Sequence, residues 1–300
     1  MVEFTVDEVL PVRTPFRLDL TADALRRLAS NAVDVVTDDG AYVRAFSEGD
    51  AVAIVRVRQH DAASLHLQAA GMRPQRARDL VTRMLGTDVD LRAWNRRAAT
   101  IPWIARLARA LRGLKPPRYP TLWEACAHAI VFQQISIVAA AAIMHRMVSL
   151  LSPHVLFNGV VLRPFPTTAM LLRARDRDLR SAGLSANKAG HLRAVAQALE
   201  GREVSEEEID GLPTVQAAER LVHLHGIGPW SAAVILLRGF GRLDTFPLRD
   251  SGVARTAALL SGDPSVNFDA VLASLGPERG MLYYNLLLGR LRNLTPTRKD

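Results

Sequence analysis

The chain has 300 residues, 49% of them apolar, and its 38 Lys+Arg against 30 Asp+Glu give a formal net charge of +8. That length suggests two or three compact units with material for sizeable cores, and the basic balance suits a polyanionic partner such as nucleic acid, although an arginine-rich soluble protein would show it too. A single cysteine, Cys126, excludes a disulfide framework and a cysteine-built zinc or iron–sulfur centre, no His/Asp/Glu grouping has metal-ligand spacing, and with neither a signal-peptide pattern nor a run of membrane-spanning length the expected setting is cytoplasmic.

Strand patterns come first. Phe16, Leu18 and Leu20 alternate with polar residues, and residues 41–46 and 52–57 are β-rich runs joined by Ser-Glu-Gly-Asp, a hairpin connection. Leu65 and Leu67 alternate again. A helix is expected over residues 74–85, with Gly86 as its stop. Residues 1–90 therefore read as a small antiparallel sheet carrying one or two helices, and residues 91–300 as a helical body, an α+β chain overall.

In the second part, Thr121 and Glu124 have capping-box spacing and open a helix to about Phe132. Further helices are expected over 137–150, 187–199 and 214–224, and over 229–238 with Gly239 just past the end. The last two flank Leu224-His-Gly-Ile-Gly-Pro-Trp-Ser231. Gly226 and Gly228 permit a tight turn and close backbone approach, Ile227 can plug the space between the helices, and the exposed N-terminus of the second helix suits a phosphate. Taken alone, this could be an αα-hairpin whose glycines serve packing only. Downstream, Asp250 stands at the start of another helical run, either as an N-cap or as a functional carboxylate.

The Leu-x-Gly-Ile-Gly hairpin at 224–228 and the Asp-Ser-Gly-Val-Ala-Arg segment at 250–255 resemble the helix–hairpin–helix (HhH-GPD) DNA glycosylase superfamily. The Ala-Ile-Val-Phe-Gln-Gln-Ile-Ser stretch at 129–136 is similar to its 3-methyladenine DNA glycosylase II branch, as are residues 90–94 and 111–116, so the resemblance covers nearly the whole chain. It implies Asp250 as the catalytic aspartate. Trp230 stands where bifunctional members carry a Schiff-base lysine, which implies a monofunctional enzyme. Gln134 takes the place of the residue that wedges into the duplex, and His225, Gly226, Gly228 and Ser231 form the DNA-binding hairpin. Trp230, Val234, Ser251 and Glu278 fall at substrate-pocket positions, with Glu278 expected to favour cationic bases by charge. No cofactor is required by this reading, but the carbonyls of Val222, Leu224 and Ile227 are implied ligands of a structural monovalent cation.

The expected function is base excision repair by a monomer acting on double-stranded DNA with damaged, N-alkylated bases. A glycosylase for deaminated or oxidised bases is the nearest alternative. A non-catalytic helix–hairpin–helix DNA-binding protein is the rival from another class: it needs the glycines and the basic surface but no carboxylate in a cleft.

Overall fold

The computed structural model describes residues 3–248, 250–263 and 265–294. Its N-terminal part contains β1 (Val6–Pro11), α1 (Leu18–Arg26), β2 (Val35–Val36), β3 (Tyr42–Glu48), β4 (Ala51–Asp61), β5 (Ser64–Ala70) and α2 (Pro74–Leu85). The five strands form one antiparallel sheet in the order β1-β5-β4-β3-β2. The β3–β4 hairpin closes at Glu48 opposite Ala51, and Gly86 ends α2 in the left-handed conformation, both as the sequence predicts. The alternation at Phe16–Leu20 is corrected. Leu18 opens α1, whose buried Leu18, Ala22 and Leu25 recur at helical rather than strand spacing. In β1 the inward-facing positions hold Val6, Glu8 and Leu10, with only Val6 fully buried, so the apolar alternation that marks a strand is faint there.

Helices dominate the rest: α3 (Arg92–Ala98), α4 (Pro102–Ala110), α5 (Leu122–Phe132) and α6 (Ile137–Leu151), then a small hairpin of β6 (Val155–Phe157) and β7 (Val160–Leu162). They continue as α7 (Thr168–Arg173), α8 (Asp176–Ser181), α9 (Ala186–Glu200), α10 (Glu206–Gly211), α11 (Thr214–Val222), α12 (Pro229–Phe240), α13 (Ser251–Ser261), α14 (Phe268–Leu275) and α15 (Gly280–Leu291). Among the described residues no helix is long and apolar enough to cross a membrane.

Two apolar clusters organise these elements. The larger packs one face of the sheet, with Tyr42, Val55 and Val57, against α5, α9, α11 and α12. The other joins α3, α4, α14 and α15 around Trp94, Leu107, Leu275 and Leu288. The opposite sheet face, with Val43, Ala45 and Ile54, is covered by Phe157 and Leu162 of the β6–β7 hairpin. With both faces covered, the sheet joins the helical body through the larger cluster.

Helix α5 is the centre of that core, buried from Leu122 to Val131. Thr121 Oγ1 accepts the Glu124 N–H at 3.1 Å, but the reciprocal half of the expected capping box is absent. Glu206 of α10 accepts the Leu122 N–H at 2.9 Å instead, while the Glu124 carboxylate turns inward to the buried Arg44 of β3. Arg44 also donates to Asp34 at 2.7 Å, so one guanidinium joins two carboxylates across the boundary between sheet and helices. Helix α12 extends past its expected end to Phe240, with left-handed Gly241 as its cap. Gly239 lies inside it, where a Cβ would stand 2.8 Å from the Ala125 Cβ, so it permits the close packing of α12 on α5.

His128 lies on α5 in the same buried region, stacked on Tyr119 with ring centroids 4.2 Å apart. Burial, helped by the cations of Arg27, Arg238 and Arg44, holds its imidazole well below the ordinary 6.5, so it is neutral in the fold and its 3.9 Å approach to Glu124 is no ion pair. The unfolded chain takes up a proton there that the folded chain refuses, and stability is lost as pH falls below about 6.5. Glu124 works in the opposite sense. Burial, against the pull of Arg44, pushes its carboxyl up to about 7, so the folded state keeps a proton that the unfolded chain releases above about 4.5. His128→Gln removes only the first effect. Its Tm relative to the parent is expected to rise as pH is lowered from about 7 to about 5, and a pH-independent difference would show that His128 does not titrate on unfolding.

Candidate active site

The site forms where the two clusters meet. Helices α11 and α12 are joined by the glycine turn, and the chain leaves α12 through a loop, pinned where the Gly280 N–H donates to the Leu243 carbonyl at 2.7 Å, before re-entering helix at Asp250. Asp250 is the N-cap of α13: its Oδ1 accepts the Gly252 and Val253 N–H groups at 2.9 and 3.0 Å. Its Oδ2 accepts the indole N–H of Trp230 at 3.1 Å. Asp250 is thus the cap of α13 and also lines a cleft of about 810 Å³, within the size range of small-molecule sites. Two backbone amides and an indole fix its orientation and leave its charge beside the cavity.

Around Asp250 the cleft is bounded by the α5–α6 turn, the start of α12, the first turn of α13, and Tyr283, Leu286, Leu287 and Arg290 of α15. Trp230 contributes a half-buried aromatic wall. The chain contains three lysines, Lys115, Lys188 and Lys299, and no described lysine lines this cleft. Lys188 is held elsewhere, donating to the carbonyls of Val131 and Gln133 at 2.7 and 2.9 Å.

The hairpin leaves only the N-terminal end of its second helix accessible to solvent. Gly228 is the N-cap of α12 with Pro229 in the first turn, and a Cβ on Gly228 would meet nothing within 4 Å, so another backbone can approach closely. Gly226 has φ +89°. His225 is exposed, its ring edge-on to His191 with centroids 4.9 Å apart. The Leu224 carbonyl accepts the Ile227 N–H at 3.0 Å, and Val222 is the last residue of α11. The turn is tied to α5 by Gln133, whose Nε2 donates to the Gly226 carbonyl at 2.9 Å and to Ser231 Oγ at 2.8 Å. Next to it, Gln134 sits exposed at the tip of the α5–α6 turn with φ +57°, beside the exposed Ile135.

Several expected site residues lie elsewhere. Val234 is corrected: one turn beyond Trp230 on the same helix face, it is 2% exposed within the core and does not line the cleft. Glu278 is corrected too. It stands in a short 3-10 turn before α15, paired with Arg97 at 3.0 Å, and the cleft is lined instead by Arg27, Arg255 and Arg290. The expected attraction of cationic bases by Glu278 therefore has no basis here. Ser231 lines the cleft, but the residue is 2% exposed and its hydroxyl accepts from Gln133. The Ser251 side chain lies outside the described residues. Sequence reasoning missed Arg27, Gln133 and Arg290 on the cleft lining. Gln133 adjoins the singled-out Gln134, but its inward direction becomes visible only once the turn is formed.

Residues 127–267 match the family described as HhH-GPD superfamily base excision DNA repair protein. The chain is 26% identical over 173 residues to a DNA-3-methyladenine glycosylase of Bacillus subtilis, covering 58% of this chain and 57% of that protein. It is 28% identical over 275 residues to a probable bifunctional transcriptional activator/DNA repair enzyme AlkA of Mycobacterium tuberculosis, covering 87% of this chain and 52% of the other. The chain thus spans about half the length of these curated relatives. Its fold is shared with a 3-methyladenine DNA glycosylase from Archaeoglobus fulgidus, at TM-score 0.80 and 23% identity over 96% of this chain and 100% of that one.

Proposed function

We propose that this chain, whose residues 127–267 match the HhH-GPD superfamily of base excision DNA repair proteins, is a monofunctional DNA glycosylase that flips a damaged base out of duplex DNA and hydrolyses its N-glycosidic bond. The observation that carries the proposal is the Asp250 carboxylate, held by Trp230, Gly252 and Val253 on the wall of the cleft. A DNA-binding protein without catalysis would use Asp250 only as the cap of α13 and would have no need of a cleft beside it.

A base inside a duplex is out of reach, so it must leave the stack. The hairpin amides and the α12 N-terminus hold backbone phosphate without reading sequence, while Gln134 at the neighbouring tip fills the space the base leaves. Cleavage develops oxocarbenium character on the sugar. Asp250 stabilises that charge and orients or deprotonates the attacking water. A base weakened by N-alkylation departs without strong acid catalysis, consistent with the names of the relatives, and Trp230 supplies a face on which it stacks. In the same reading the carbonyls of Val222, Leu224 and Ile227 hold a structural monovalent cation under a phosphate, with no side-chain donor involved, and the protein acts as a monomer in the cytoplasm.

The test is release of 3-methyladenine from alkylated duplex, scored by mass, with borohydride present. Free base, an intact strand and no covalent protein–DNA adduct are expected, because Trp230 cannot form an imine. A trapped adduct would mean that an amine attacks and would overturn the monofunctional mechanism. Absence of base release from any damaged duplex would overturn the glycosylase reading.

A further inference from the structure

The backbone of Gln134 lies in the left-handed region at φ +57°, which a residue other than glycine adopts when its surroundings impose it. Its own exposed side chain makes no hydrogen bond among the described residues, so the restraint comes from elsewhere. It comes from the residue before. Gln133 spends both N–H groups of its side-chain amide on the hairpin and its second helix, donating to the Gly226 carbonyl at 2.9 Å and to Ser231 Oγ in the first turn of α12 at 2.8 Å. A carbonyl can only accept, so the contact with Gly226 fixes which end of the amide faces the hairpin. The backbone of Gln133 is held too. Its N–H donates to the Ile130 carbonyl at 3.3 Å, and its carbonyl accepts from Lys188 Nζ, in the first turn of α9, at 2.9 Å. The same ammonium donates to the Val131 carbonyl at 2.7 Å, where a cation suits the free carbonyls and the negative dipole end of α5. On the other side of the tip, Ser136 caps α6 by accepting the Ala139 N–H at 3.2 Å. The ends of α5, α9 and α12 thus meet on Gln133.

We propose, resting on the glycosylase reading above, that Gln133 is a positioning residue for Gln134. With Lys188 it joins the α5–α6 turn to the hairpin as one rigid body, so the grip on phosphate and the wedge stand at a fixed separation before DNA arrives. Unstacking a base requires a side chain that does not yield. A turn held only by its two ends would first have to be ordered on the DNA, which diverts binding free energy from opening the stack. Both N–H groups of the Gln133 amide are committed within the protein, so it has no donor left for the base, and its effect passes through Gln134.

Gln133→Met keeps the length of the side chain and removes both donors. Single-turnover release of methylated purines, scored by mass, is measured from one methylated oligonucleotide as duplex and as single strand. Release from duplex is expected to fall about tenfold, within the range for a displaced positioning group. Release from single strands, where no stack needs filling, and affinity for undamaged duplex should both stay within about twofold of the parent. In a Gln134→Ala chain, adding Gln133→Met should lower duplex release by no more than about twofold further, because the residue it positions is already gone. A purely structural role predicts equal losses on duplex and single strand, and the same loss with or without Gln134; either result would overturn the proposal. So would a Gln134→Ala chain that releases bases from duplex like the parent, since no wedge would be left to position. Should Gln133→Met fail to fold, Lys188→Met, which frees the same turn from the α9 side, is held to the same comparisons. Should the parent release no base from any damaged DNA, the glycosylase reading fails, and Gln133 is judged by the fluorescence of 2-aminopurine placed in a mispair, which rises when that base leaves the stack. A rise with the parent that is lost with Gln133→Met at equal bound fraction sustains the positioning role; an equal rise with both, or none with the parent, ends it.

Discussion

Asp250→Asn is expected to lower base release at least about 10²-fold, the scale of losing one electrostatic partner of a transition state, and to leave the fold intact. The geometry separates these outcomes. Asp250 Oδ1 caps α13 through the Gly252 and Val253 amides, and an asparagine carbonyl caps a helix about as well as a carboxylate. What Asn lacks is the negative charge beside the sugar and, with its carbonyl on the cap, the acceptor for the Trp230 indole N–H. Asp250→Ala removes the cap as well and should destabilise the protein by about 1 kcal/mol on top of the same loss of activity. Single-turnover release with Tm for both variants separates the two roles. Activity of Asp250→Asn within a few-fold of the parent would leave Asp250 as a cap only.

The parts of this fold legible in sequence are those whose local pattern and tertiary role agree. The β3–β4 hairpin, α2 with its glycine stop and the Thr121 cap all carry their own signals, and the structure keeps them. The α1 segment was obscured because three alternating apolar residues at its start also fit a strand; only the continuation through Ala22 and Leu25 decides for helix. Of the site, Asp250 and Trp230 could be found because they lie in or near one hairpin, and the structure adds the hydrogen bond that joins them. Val234 and Glu278 went astray for lack of a local signal. Whether a residue on α12 faces cleft or core depends on where α5 packs, and Glu278 depends on Arg97, a residue of α3 far away in the chain. Arg27 could not be found at all, since its place on the cleft wall arises only when the sheet unit docks on α5 and sets it over Phe132.

Gly226→Ala is expected to disable the hairpin, through two separable causes. At φ +89° any side chain is strained, by roughly 1–2 kcal/mol. The new methyl would also stand 2.3 Å from Cγ and 2.5 Å from Cβ of His191, so the imidazole must move, breaking its edge-on contact with His225. Overpacking of this kind adds about 1–3 kcal/mol. The Gly226 carbonyl accepts from Gln133, so the distortion reaches the α5–α6 turn and Gln134. Duplex affinity should therefore fall at least about tenfold, with a loss of stability of roughly 2–5 kcal/mol from the two causes together. Replacing His191 by Ala in the same chain removes the clash and leaves the backbone strain. The double variant should recover the packing share of the stability and part of the affinity, relative to Gly226→Ala corrected for His191→Ala alone. Full recovery would assign the whole effect to the clash and free the hairpin from its need for a left-handed residue. No recovery would show that the φ of Gly226, rather than its missing side chain, limits the turn.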